Sequence, residues 1–196
     1  MKKAFRGLLT GLGGLFWIVV MLSFSDIKMT TLTVLSALIH ECGHLIMLTL
    51  LKKRFSLPTV VTSGFRIKTK SKLSYKEEIL VCAAGPFINV LLFLFLLPHT
   101  ADFAIINLAT AISNLLPLPD YDGYKIISNL ISLILSSEVS DILMPRITLA
   151  VCAMLVFLSL FLIMLLNGGY WIFFIFFIVL VKQILFLQKQ IKSEDL

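Results

Sequence analysis

The chain has 196 residues, of which 59% are hydrophobic and only 14% charged, with a mean hydropathy of +1.00 and a formal net charge of +6. A soluble domain is nearer to about half apolar and about a quarter charged, so the composition argues against one and favours a small helical bundle in lipid.

Apolar runs of about 20 residues are long enough to cross a bilayer as helices. Six follow in chain order. The first is Gly7 to Ser25, after the basic start MKKAFR. It is long for a signal peptide and no small-residue cleavage site follows, so it reads as a retained span. The second, Met29 to Leu51, carries the motif HECGH. The third is Ile79 to Pro98, without a charge; the fourth, Phe103 to Pro119, is shorter and ends in two prolines. Tyr124 to Ser137 predicts a shorter helix, and Ile147 to Leu166 and Tyr170 to Leu187 complete the set. The expected fold is an all-α polytopic membrane protein of about six transmembrane helices. It forms a single domain over 1–196, with a core at about 29–135 and C-terminal helices at about 144–190.

Lysine and arginine set the orientation. With the N-terminus inside, residues 1–6, 52–78, 120–146 and the tail from 182 hold 16 of the 17 basic residues, and only Lys28 falls outside. This satisfies the positive-inside rule and places both termini in the cytoplasm of a cell membrane. The net charge then follows from topology and anionic lipid, with no need for nucleic acid. Cys42, Cys82 and Cys152 fall in apolar spans and read as small buried residues.

Ionisable groups inside a span are costly and mark functional sites. His40 and His44 are one turn apart and share a helix face. Neutral imidazoles at that spacing can bind one Zn²⁺, and Glu41, about 100° around the helix, can act as general base. The plain alternative is a pair of histidines hydrogen-bonded within a bundle. Two of the three histidines in the chain fall in this motif, which favours metal. Catalytic zinc usually takes three protein ligands. His99 lies in a short outer loop and is a poor third. In Asn114 to Lys125, Pro117 and Pro119 break the helix, and Asp122 follows the break. Asp120 is its rival.

In Leu57 to Thr69, two short β-branched runs flank Ser63-Gly64. This predicts a small membrane-associated β-hairpin, whose edge could pair with an extended substrate at Gly64 and Phe65. His44 lies eight residues before Lys52, about 12 Å along a helix, so the site should sit within the membrane nearer the inner face.

Three motifs in order resemble the site-2 protease family of intramembrane zinc metalloproteases: HECGH, GPFIN from Gly85 to Asn89, and NLLPLPDYDG from Asn114 to Gly123. They cover roughly residues 30 to 135, and the match looks closest to the sporulation factor-processing branch. The chain looks like a minimal member, with no PDZ insertion and no C-terminal regulatory domain. Regulation by an appended domain would then be absent or come from a partner membrane protein. The resemblance implies one zinc ion per chain, held by His40, His44 and Asp122, with Glu41 as base and then proton donor. It implies that Asn114 helps hold the developing oxyanion. Asn89 matches the Gly-x-x-x-Asn asparagine; it either meets substrate or makes an interhelical hydrogen bond. Tyr121 replaces the apolar residue that usually precedes Asp-Gly.

The implied activity is hydrolysis of a peptide bond within or next to a transmembrane segment of a substrate protein. The alternative is a non-catalytic membrane protein that binds zinc or substrate. A transporter should spread polar groups along a path through the spans, whereas this chain concentrates them at one place.

Overall fold

The computed structural model describes residues 26–55, 59–61, 64–66, 72–166, 177, 180, 181, 183 and 184. The first predicted span and nearly all of the sixth lie outside the described residues. The chain divides into two compact units that meet in sequence at Leu116 and Pro117.

The first unit is built on three helices. Helix α1 spans Ile27–Leu50. Asp26 caps it, its Oδ1 accepting from the Met29 N–H at 2.7 Å, which satisfies one of the free donors of the first turn. The hydroxyls of Thr31, Thr33 and Thr49 donate back to carbonyls four residues earlier, which lets them sit in an apolar helix. At its far end Lys52 adopts a left-handed φ of 52°, and the Lys53 N–H returns to the Leu48 carbonyl at 2.9 Å.

Two short strands follow, β1 at Thr59–Val61 and β2 at Gly64–Arg66. They pair antiparallel, with Thr59 opposite Arg66, Val60 opposite Phe65 and Val61 opposite Gly64. The two residues between them, 62 and 63, lie outside the described residues.

Helix α2, Tyr75–Leu96, starts at a reciprocal cap. The Ser74 N–H donates to Glu77 Oε2 at 2.8 Å and the Glu77 N–H donates to Ser74 Oγ at 3.4 Å. Lys53 reaches the other Glu77 oxygen at 2.7 Å, tying the end of α1 to the start of α2. A four-residue connection leads into α3, Ala101–Asn114. At the opposite end of α1, Lys28 pairs with Asp102 of α3 at 2.5 Å. Each of the three helices packs on the other two. Helices α1 and α2 approach closely at Gly43, where a Cβ would stand 2.6 Å from the Ala84 carbonyl oxygen. Small residues at such a crossing are what let transmembrane helices touch through their backbones.

The second unit holds α4, Asp122–Ile134, and α5, Ser137–Leu166. They meet where Ser140 donates to the Ser128 carbonyl at 3.0 Å and the two hydroxyls lie 2.9 Å apart. Thr148, fully buried in α5, donates to the Pro117 carbonyl at 2.9 Å and so anchors the proline turn. The sequence reading started the fifth span at Ile147, but α5 starts ten residues earlier. Ser136 caps it through the Val139 N–H, and the helix runs through Pro145. The Gln183 amide donates to the Pro145 carbonyl at 3.2 Å.

Among the described residues, three helices are long and apolar enough to cross a membrane: α1, α2 and α5. With 14 residues, α3 is about 21 Å long and falls short of a bilayer core. The apolar side chains that α1, α2 and α5 leave exposed, among them Phe87, Phe95, Phe157 and Met164, would be a liability in water and suit lipid. The chain is therefore a mostly helical, membrane-type protein.

A buried histidine pair and its polar neighbours

Residues four apart on α1 stack on one face, which brings Ser36, His40 and His44 into a row. All three are buried. The imidazole rings of His40 and His44 meet edge to face, and their Nε2 atoms lie 3.1 Å apart.

Hydrogen bonding at the other nitrogens decides what those Nε2 atoms offer. Nδ1 of His44 lies 2.7 Å from the Val81 carbonyl oxygen. A carbonyl only accepts, so this Nδ1 carries a hydrogen. Nδ1 of His40 lies 3.0 Å from Oδ1 of Asn89, again an acceptor. With the ring proton on Nδ1 in each, the two Nε2 atoms are turned toward a shared point. This is the usual arrangement of a histidine metal ligand, in which the second ring nitrogen donates to an outer oxygen. The donor set fits a zinc ion.

Gly85 completes the room for the rings. A Cβ at this position would lie 2.6 Å from Nε2 and from Cε1 of His44, and 2.8 Å from Cε1 of His40. No side chain larger than hydrogen fits without moving an imidazole.

Asn89 is fully buried, and its amide joins three helices. Beyond His40, its Nδ2 donates to Ser36 Oγ at 3.0 Å, to the Ser36 carbonyl at 3.3 Å and to Asn107 Oδ1 at 2.8 Å. The interhelical hydrogen bond weighed from sequence is thus present, and it ends on a histidine. Ser36, Asn107 and Thr110 were not singled out from sequence. One signal was available: Ser36 lies one turn before His40, as His44 lies one turn after.

The remaining sequence candidates are placed as follows. Glu41 is half-buried on α1, beside the histidine face. Asn114 ends α3, its Nδ2 donating to the Thr110 carbonyl at 3.0 Å. Asp122 belongs to the second unit, is buried, and opens α4, where a carboxylate suits the positive end of the helix. Its Oδ1 lies 3.8 Å from Lys125 Nζ. Its rival Asp120 is exposed and holds a left-handed φ of 72°. Burial raises the Tyr121 phenol above its usual range, so it stays neutral near pH 7. Gly64 and Phe65 lie on β2. His99 is exposed beyond the end of α2.

No protein-family model matches the chain, and no curated protein matches it. Among solved structures it is similar to the Site-2 Protease from Methanocaldococcus jannaschii. The TM-score is 0.60 over 90% of this chain and 86% of that one, at 16% sequence identity. Likeness at that identity is likeness of fold. The chain shares the fold of that site-2 protease.

Proposed function

We propose that this chain is an intramembrane zinc metalloprotease of the site-2 protease type. It would cut a peptide bond within or beside a transmembrane segment of another protein. The observation that carries the reading is the His40–His44 pair. Two imidazoles fixed by Nδ1 donation present their Nε2 atoms to one point inside an apolar helix pair. Such an arrangement is expensive in lipid, where ionisable groups mark functional sites.

His40, His44 and Asp122 are the proposed ligands. All three are buried. The ion would supply the Lewis acidity that activates water and polarises a carbonyl. Glu41 takes the water's proton and later passes it to the leaving amine. Asn114 steadies the developing oxyanion through its amide. The motif order is nearest to the sporulation factor-processing branch, and the basic residues orient the site toward the cytoplasmic face. Membrane-embedded protein is the substrate class, and a membrane protein partner is the expected source of regulation.

The test is zinc content of the full chain purified in detergent, for wild type and for Asp122→Ala. About one zinc per chain, lost or much weakened in the variant, is the expected result for a three-ligand site. A folded wild type that takes up no zinc would overturn the reading.

A further inference from the structure

The polar groups that surround Asn89 reach well past what two metal ligands need. Ser36 and Asn107 are both fully buried in apolar helices. The Ser36 hydroxyl has Asn107 Oδ1 at 3.1 Å and Thr110 Oγ1 at 2.9 Å within reach as acceptors. Asn107 Nδ2 donates to the Phe103 carbonyl at 2.8 Å, one turn back on α3. Thr110 donates in the same way to the Ile106 carbonyl at 2.8 Å.

These contacts can be read as a chain of orientations. A backbone carbonyl cannot donate, so the Phe103 oxygen fixes the NH₂ end of Asn107 toward itself. The Asn107 oxygen is then turned toward α2. That oxygen requires a donor from Asn89, so the NH₂ end of Asn89 faces it. Rotating the Asn89 amide by half a turn would set oxygen against oxygen at both Asn107 and the Ser36 carbonyl. The Asn89 oxygen is left facing His40, and an acceptor there demands a proton on Nδ1. Each link restricts the next, and the last one selects a tautomer.

We propose that Asn107 and Ser36, acting through Asn89, are positioning residues that fix His40 in its Nδ1–H tautomer and so commit its Nε2 to a metal. The proposal rests on the metal-site reading above. His44 needs no such device, because its Nδ1 is held directly by the Val81 carbonyl. A relay of side chains on one ligand, beside a backbone acceptor on the other, explains why α3 carries a fully buried Asn107.

The test uses the full chain in detergent, with two readouts. The first is nitrogen-15 NMR of the imidazoles in metal-free protein, which reports the tautomer without any zinc. Wild type should show His40 protonated at Nδ1. Asn107→Leu, close in volume but unable to hydrogen-bond, should give a mixture at His40 and leave His44 as it was. The second is Zn²⁺ affinity by competition with a chromogenic chelator. Asn107→Leu should bind about 10- to 100-fold more weakly, the usual loss for an outer partner of a histidine ligand. Asn107→Asp should recover both signals, because a neutral carboxyl can accept from Asn89 and donate to the Phe103 carbonyl. Should Asn107→Leu not fold, Ser36→Ala removes a single hydroxyl and is expected to shift both readouts in the same direction. An unchanged His40 tautomer in the folded variant overturns the relay. A tautomer shift in a protein whose wild type binds no zinc upholds the relay and overturns the metal site.

Discussion

Gly85 stands where a methyl group would lie 2.6 Å from Nε2 of His44, so the helix α2 backbone forms one wall of the histidine pair. That relationship makes Gly85→Ala a test of the site more than of the fold. The neighbouring atoms are ring atoms of two side chains held by hydrogen bonds at their other nitrogens. They can only yield by breaking one of those bonds. The expected outcome is a loss of metal affinity of about 10-fold or more, with helicity retained, since misplacing an outer contact alone costs that much. Metal content and far-ultraviolet circular dichroism on the same sample check it.

Gly43→Ala is the contrasting case. Its added carbon would meet the Ala84 backbone oxygen at 2.6 Å and the Gly85 Cα at 3.0 Å. Backbone cannot rotate away, so α1 and α2 must part. Overpacking of this kind costs about 1–3 kcal/mol, and the loss should appear as a lower melting temperature in detergent. Equal stability of Gly43→Ala and wild type would mean that the two helices are not held at this crossing.

Much of the site was legible in the sequence because its signals are periodic or local. His40 and His44 are four apart, Gly85 and Asn89 are four apart, and the prolines at 117 and 119 end a helix by removing donors. The relay was not legible, because Ser36 and Asn107 are 71 residues apart and only helix packing brings them together. A lone serine or asparagine in an apolar run carries no spacing of its own. The start of α5 was misread for a different reason. The apolar run begins at Ile147, whereas the helix starts at Ser137, where the Ser136 hydroxyl accepts from the Val139 N–H. The polar first turns of that helix carry no hydropathy signal.

The strand pair offers a test of how substrate is held. Val60 pairs with Phe65 and Val61 with Gly64 in the antiparallel ladder. If the edge of β2 takes an unwound substrate as an added strand, Phe65→Pro removes a backbone donor from that strand. Cleavage of a membrane-embedded substrate should fall while zinc content stays at the wild-type level. Unchanged cleavage would mean that substrate is held elsewhere.

Glu41→Gln separates binding from chemistry. The residue lies beside His40 in sequence but about 100° around the helix, on the flank of the histidine face. Glutamine keeps the volume and hydrogen-bonding reach of the side chain and removes its ability to take a proton. If Glu41 is the base, the variant should keep its zinc and lose activity by about 10²- to 10⁴-fold, the usual contribution of a positioned acid–base group. The measurement is cleavage of a reconstituted transmembrane substrate, followed beside metal content in the same preparation. Loss of zinc together with activity would instead make Glu41 part of the support for the ligands. Full activity in Glu41→Gln would remove it from the mechanism and leave the proton transfer to another group.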